Sequence, residues 1–331
     1  MLAGGIGASR LAVPMAAALG AERLTLVVNT ADDVWLHGLR ICPDLDTNLY
    51  ALAGLRDAGR GWGVADDSFR AMGQLRRLGG DPWFALGDVD LAMHLRRTGR
   101  LREGAALSEA TAEVAAHLGV MVRLLPMTDA EVATVVETDA GPLGFQEWFV
   151  ARRAEDAVRS VTRHGIEAAR PAPGVLEAIA AADLVVVGPS NPVASIEPIL
   201  ALPGVREAVA SRPALAVTPV VSGVPITDEG EARRARSRAA LLAARGLEHT
   251  ATAVASCYRN LVSTFVLDDH DAAEAAAIEA LGLTVVVTST LIADGAAGDR
   301  LATTLLGLHP LHPLGRRGWT RTDAPGKSQY C

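Results

Sequence analysis

Short apolar, β-branched runs alternate along the chain with longer alanine-rich stretches. Residues 24–29 (LTLVVN), 134–137 (TVVE), 184–188 (LVVVG), 215–218 (LAVT), 264–267 (TFVL) and 283–288 (LTVVVT) read as strands. Helices are expected over residues 9–19, 174–181, 231–245 and 272–281. Strands that are apolar throughout, rather than alternating, are buried on both faces, and the intervening helices supply the crossovers. The pattern therefore predicts an α/β fold: a mostly parallel sheet with helices on both faces. In such sheets ligands bind beyond the carboxyl ends of the strands, so the loops that follow strands are where chemistry is expected.

Two stretches break the rhythm. Residues 52–123 hold many charges and the tryptophans Trp62 and Trp83, with no convincing strand, and read as a helical insertion or cap. Residues 307–331, with several prolines and a Gly-Arg-Arg-Gly, read as a flexible tail. No internal repeat is visible. Only Met1 to Ala3 precede the first glycine loop, so the strand feeding it is expected to be short, and an upstream extension is expected to stabilise it.

Composition narrows the class. Half of the 331 residues are hydrophobic and 21% are charged, enough to bury a sizeable core and to exclude wholesale disorder. The mean hydropathy of +0.23 comes from alanine, and no apolar run approaches the roughly 20 residues of a bilayer span. The start lacks the basic region and apolar core of a secretory signal, so a soluble, cytoplasmic protein without membrane partners is expected. A net charge of −7 is the reverse of a nucleic-acid footprint. Cys42, Cys257 and Cys331 are far apart and suggest neither a disulfide framework nor a zinc site. Lys327 is the single lysine, and its Gly326-Lys327-Ser328 has Arg321 where a P-loop needs its first glycine, which removes a P-loop.

Four motifs carry candidate chemistry. Gly4-Gly5-Ile6-Gly7-Ala8-Ser9-Arg10 opens a helix; glycines let the backbone approach a phosphate, and the helix start offers free N–H groups. Asn29-Thr30-Ala31-Asp32-Asp33, followed by Pro43-Asp44-Leu45-Asp46-Thr47, places four carboxylates near a strand end, which suits a hard divalent cation. The plain alternative is helix capping by Asp33, Asp46 or Thr47. Gly188-Pro189-Ser190-Asn191-Pro192 offers hydroxyl, amide and backbone donors after the most apolar strand, or simply punctuates the chain. Phe145-Gln146-Glu147-Trp148-Phe149 is an aromatic platform with an amide and a carboxylate, or a piece of core. His37 and His94 lie near the acidic motifs without a Ser or Cys partner and read as structural.

Taken together these residues resemble one family. N-T-A-D-D-x-W-x-H-G-x-R-I-C-P-D-L-D-T (residues 29–47) is similar to the signature of the phospholactate or phosphoenolpyruvate transferases of coenzyme F-420 biosynthesis. R-G-W-G (60–63), L-G-D-x-D-L-A-x-H (86–94), R-L-L-P-M-T-D (123–129), F-Q-E-W-F-V (145–150) and G-P-S-N-P-V-x-S-I-x-P-I-L (188–200) follow in the same order. The resemblance covers about residues 2–306 and implies a single Rossmann-like α/β domain, with an insertion over about 52–150, commonly a homodimer. It implies a magnesium-dependent transfer of a phospholactyl or phosphoenolpyruvyl group, from its guanosine diphosphate ester to the deazaflavin alcohol FO, with release of GMP.

By the same resemblance Asp32 and Asp46 are the catalytic acids, and Asp32, Asp33 and Asp46 the magnesium ligands. Gly4, Gly5, Gly7, Ser190 and Asn191 would face phosphate. Asn29, Thr47, Asp88, Gln146, Glu147 and Trp148 complete the substrate-binding set, with Trp148 in the flat-ring pocket. Three places depart from the family pattern. Val89 stands where L-G-D-R-D has its arginine, the basic residues expected near Val224 are absent, and Thr288-Ser289-Thr290 replaces T-D-T. Weaker binding of a diphosphate is the expected consequence. Two rivals are weighed: a nucleotide- or nucleotide-sugar-binding regulatory protein on the same fold, and a nicotinamide-dependent oxidoreductase. The second lacks the third glycine of the dinucleotide fingerprint and an acid at the end of its second strand.

Overall fold

A computed structural model describes residues 1–308. The amino-terminal half contributes strands β1 (Leu2–Ala3), β2 (Thr25–Val28), β3 (Val34–Leu36), β4 (Leu39–Ile41), β5 (Arg123–Pro126), β6 (Ala133–Thr138), β7 (Gly141–Gly144) and β8 (Val158–His164). Its helices are α1 (Ile6–Leu19), α2 (Pro43–Leu52), α3 (Arg70–Arg77), α4 (Asp88–Arg102) and α5 (Leu107–His117). The remainder contributes β9 (Val185–Val187), β10 (Ala214–Val217), β11 (Thr264–Leu267) and β12 (Thr284–Val287). Between and after these lie α6 (Val175–Ala181), α7 (Glu197–Ala201), α8 (Val205–Ala210), α9 (Glu229–Ala243), α10 (Ala251–Cys257), α11 (Ala275–Glu279) and α12 (Gly295–Gly307).

Seven strands form one parallel sheet in the order β12-β11-β10-β9-β1-β2-β5. Side chains alternate between its faces. Leu2, Val27, Leu125, Val187, Ala216 and Phe265 enter one apolar cluster with α6, α8 and α10. Ala3, Leu26, Val28, Leu124, Val186 and Leu215 enter the other with α1, α2, α5 and α12. The expected α/β architecture is therefore present, with continuous apolar strands explained by burial on both faces. Among the described residues no helix is long and apolar enough to cross a membrane.

Three expectations are corrected. The TVVE strand is not in the parallel sheet: β6 pairs antiparallel with β7 and β8 in a separate three-stranded sheet. Its alternation of buried and half-buried residues, rather than its apolar content, was the signal. β5 is a main-sheet strand inside the interval 52–150, so that interval is two excursions rather than one insertion. Its sequence, Arg-Leu-Leu-Pro, is short and proline-ended, which an edge position tolerates. The region expected over 272–281 as one helix begins as a 3-10 turn, Asp269–Glu274. The tail expected over 307–331 falls, from residue 309 on, outside the described residues.

β1 is the shortest strand, yet it lies inside the sheet. Leu2 pairs with Val27 on one side and Val187 on the other. From β1 the chain builds outward to β2 and β5, and later, from β9, in the opposite direction to β12. The crevice between the carboxyl ends of β1 and β9 is therefore the switch point of the sheet, where α/β proteins bind ligands. The two loops there touch: a Cβ on Gly7 would stand 2.1 Å from the Pro189 carbonyl oxygen. Because that neighbour is backbone, it cannot swing aside. Gly7→Ala is expected to destabilise the protein by about 1–3 kcal/mol in urea unfolding; an unchanged midpoint would mean the two loops are not locked together.

Candidate active site

The glycine loop leads directly into α1, whose N-cap is Gly5, with no side chain capping it and no acid in its first turn. Its first N–H groups thus have no intrahelical partner. Asn48 of α2 donates to the carbonyl oxygens of Gly4 (2.7 Å) and Asp44 (2.8 Å), and Gly4 N–H donates to Ser190 Oγ at 3.0 Å. A Cβ on Gly5 would meet Asp44 Oδ1 at 2.6 Å. α2 thus closes on the glycine loop through the Asp44 side chain.

Beside this loop lies an acidic centre. Asn29, fully buried at the end of β2, donates from one Nδ2 to Asp32 Oδ2 (3.1 Å) and to Asp44 Oδ2 (3.0 Å). Asp32 Oδ1 and Thr134 Oγ1 are both buried and face each other without a further partner, the Thr134 hydroxyl favouring the ionised Asp32. Burial, and then the charge of Asp44, pushes Asp32 well above the ordinary carboxylate range. Burial raises Asp44 to about 7, with Asn29 pulling the other way and Asp33 and Asp46 adding to the rise. Two carboxylates converging on one amide nitrogen repel each other when both are ionised.

The other two acids of the motifs are already paired. Asp33 accepts from Arg40 Nη2 at 3.2 Å, although burial still raises it to about 6. Asp46 takes both arms of the buried Arg97, at Oδ1 from Nη2 and at Oδ2 from Nη1 (3.1 Å), and accepts the Cys42 N–H at 3.3 Å. His94 Nδ1 stands 3.6 Å from Asp46, and His94 Nε2 3.1 Å from Asp90, which also accepts from the Tyr50 hydroxyl. Of the expected ligand trio, Asp33 and Asp46 thus each already face an arginine. Among the described residues no group of three or more His, Cys, Asp and Glu is arranged to hold a metal ion. The acids free to do so are Asp32 and Asp44. Helix geometry separates Asp44 from Asp46: two residues apart on α2, they project to different sides, one to the glycine loop and the other to Arg97.

These groups border a cavity of about 600 Å³ at the switch point. Of the expected residues, Gly5, Gly7, Asp32, Asp46, Thr47, Gln146, Ser190 and Asn191 line it. Gly4, Asn29 and Asp33 stand behind the wall and hold it. Gln146 donates to the Asp32 carbonyl at 3.1 Å, and Asn191 Oδ1 accepts from Val193 and Ala194 N–H, the capping role. Asp88 is elsewhere: it accepts from Ser68 Oγ and from Arg70 and Ala71 N–H, capping the start of α3. Val89 is exposed and does not line the cavity. Glu147 is exposed, and Trp148 is fully buried in the core with Nε1 donating to Asp156 O. The aromatic platform is instead Phe145 and Phe149, stacked at 5.5 Å and 11°. A π-type turn over Glu147–Ala151 sends Trp148 into the core and its neighbours to the cavity.

Sequence reading named Arg10 only as the end of the glycine motif and missed the rest of a basic stretch of wall: Arg153, Arg233, Arg234 and Arg238. Arginines on α9 look like a solvated helix face in sequence, and only the fold brings them to the glycine loop. The His37-Gly38 step has a local cause. Both residues have positive φ (53° and 75°), forming the two-residue turn of the β3–β4 hairpin that presents Asp33 and Arg40.

Comparison with known proteins bears on this geometry. A family model described as 2-phospho-L-lactate transferase CofD matches residues 1–287. The chain is 37% identical over 292 residues to a 2-phospho-L-lactate transferase of Methanococcoides burtonii, covering 88% of this chain and 93% of that one. It is 41% identical over 316 residues to a phosphoenolpyruvate transferase of Kitasatospora aureofaciens, covering 93% and 96%. A solved structure of a UPF0052 family protein from Bacillus halodurans superposes with a TM-score of 0.58 at 16% identity, over 92% of this chain and 97% of that one. That last likeness shows the fold.

The two aspartates of α2 give opposite expectations on thermal unfolding. The raised Asp44 holds a proton between about pH 4 and pH 7 that the unfolded chain has released, so stability falls as pH rises through that window. Asp44→Asn removes this penalty and should be more stable than wild type at pH 8 by about 1–3 kcal/mol, less than the full shift because the side chain borders the open cavity. Asp46→Asn strands the Arg97 guanidinium and should lose about 3–5 kcal/mol. Equal melting temperatures for the two variants at pH 8 would contradict the assignment.

Proposed function

The chain belongs to the CofD family of 2-phospho-L-lactate transferases, and we propose that it moves a phospholactyl or phosphoenolpyruvyl group from a guanosine diphosphate ester to a hydroxyl of the deazaflavin FO. The hydroxyl oxygen forms a new bond to the phosphorus that carries the three-carbon acid. The anhydride bond between the two phosphates breaks, GMP leaves with the bonding pair, and the hydroxyl proton passes to solvent. No covalent enzyme intermediate is required.

The observation that carries this reading is one cavity that joins a free helix start to a buried, partly unsatisfied carboxylate pair. The N–H groups of the α1 first turn are oriented to receive phosphate oxygens, and glycine lets those oxygens come close. Asn29 and Gln146 fix Asp32, and Asn48 fixes the backbone of Asp44, so the acceptor geometry is set before substrate arrives. Phe145 and Phe149 offer a flat apolar face suited to a tricyclic ring. Asp32 Oδ1, buried and faced only by a hydroxyl, and the raised Asp44 fit a divalent cation: Asp32 and Asp44 would hold magnesium, with substrate phosphates completing its shell. Such an ion would neutralise charge on the transferring phosphate and ease departure of GMP.

The test is incubation of the protein with FO, magnesium and each candidate donor, following GMP by chromatography. GMP release that needs FO and a donor, and that is lost in Asp32→Asn, is expected. Tight binding of donor without GMP release would make the chain a nucleotide-binding protein and overturn the reading.

A further inference from the structure

Three arginines on the cavity wall have no acidic partner, although acids lie close by. Glu231 is taken by Arg10 (2.6 Å) and Arg234 (2.8 Å), and Glu229 by Arg236 (2.7 Å). Among the described residues, no ion pair engages Arg153, Arg233 or Arg238, and all three line the cavity. Arg233 lies over the Phe149 ring, 4.9 Å from its centroid, and its buried Nε has no hydrogen-bond partner. Arg238 donates from Nε to His249 at 3.2 Å, a neutral partner. Arg153 follows the Phe149 turn, held at φ 55° with its carbonyl accepting from Arg236.

Guanidinium groups left partly desolvated without a counter-charge are costly unless an anion arrives. Burial lowers Arg238 to about 10 and, with Arg234, lowers Arg233, yet both stay charged at neutral pH. They are also a separate pole of the site. The charges acting most on Asp32 are Asp44, Arg163 and Asp33, and none of the three arginines is among them. The cavity therefore has an acidic part beside the glycine loop and a basic part between α9 and the Phe145–Phe149 platform.

We propose that Arg153, Arg233 and Arg238 form an oxyanion subsite that positions the donor, with Arg233 as its anchor. Naming the donor rests on the transfer reading above; the subsite itself rests on the unpartnered arginines. A guanidinium stacked on a ring presents its edge, which matches carboxylate and phosphate oxygens alike. The oxyanion is therefore either the carboxylate of the three-carbon acid or a phosphate of the diphosphate. The subsite also answers the sequence departures near Val89 and Val224: positive charge enters the cavity from α9 instead of from those positions.

The experiment is calorimetric titration of the protein with GDP, which has phosphates and no carboxylate, and with phosphoenolpyruvate, which has both. Arg233→Met keeps the apolar contact with Phe149 and removes the charge. Its dissociation constant should rise roughly 10- to 100-fold for at least one probe. A rise with GDP assigns the subsite to phosphate; a rise with phosphoenolpyruvate alone assigns it to the carboxylate. Arg206→Ala, which loses the same charge from exposed α8 away from the cavity wall, should bind both as wild type does. Unchanged affinity in Arg233→Met, an equal loss in Arg206→Ala, or no binding of either probe to wild type overturns the proposal. Wild type that binds these probes but releases no GMP with FO would sink the transfer reading and leave the subsite standing.

Discussion

Asn29 donates one amide nitrogen to two carboxylates, and the arrangement around it follows from the repulsion this leaves. A buried pair of acids can be tolerated by sharing protons, by recruiting cations or by pairing with arginine. The protein uses the last for the two outer acids, Asp33 with Arg40 and Asp46 with Arg97. It withholds it from the inner two. Asp32 and Asp44 are left with hydrogen bonds but no arginine in contact, and Asp32 Oδ1 is faced only by the Thr134 hydroxyl. Such a centre lowers stability and persists because the sheet, α2 and the glycine loop over-determine it.

The fold makes this possible through its shortest strand. β1 has two residues, yet it lies between β2 and β9, so the loops after β1, β2 and β9 all emerge at one crevice. Asn29 follows β2, the glycine loop follows β1, and Ser190 follows β9 and binds Gly4. α2 then crosses over the group and delivers Asp44 and Asn48 from one face. The basic residues come from α9 and from the turn between β7 and β8. Acidic and basic charges thus meet the same cavity from different parts of the chain.

Much of this was legible in the sequence, because apolar runs buried on both faces declare a parallel sheet and glycines at a strand end declare a close approach. Asp32, Gly5, Gly7, Gln146 and Ser190 were found that way or through the family motifs. What escaped depends on direction rather than presence. Asp44 and Asp46 share a motif and both border the cavity, and only the phase of α2 says which one Arg97 holds. Trp148 looked like the platform, but the π-type turn rotates it inward and leaves Phe145 and Phe149 outside. Asp88 carries a motif acid into a helix cap. The arginines of α9 carry no local signal, since their meaning lies in a contact between distant segments.

The central claim is that Asp32 and Asp44 form a proton-holding pair kept for a divalent cation. It is tested most directly by titrating magnesium into the protein at pH 7 in two buffers of different ionisation enthalpy, which counts the protons displaced. A pair that holds a proton near neutrality must surrender about one proton for each magnesium bound. Asp32→Asn should remove both the binding and the proton release. Magnesium that binds with no proton release, or that binds Asp32→Asn as well as wild type, would contradict the account.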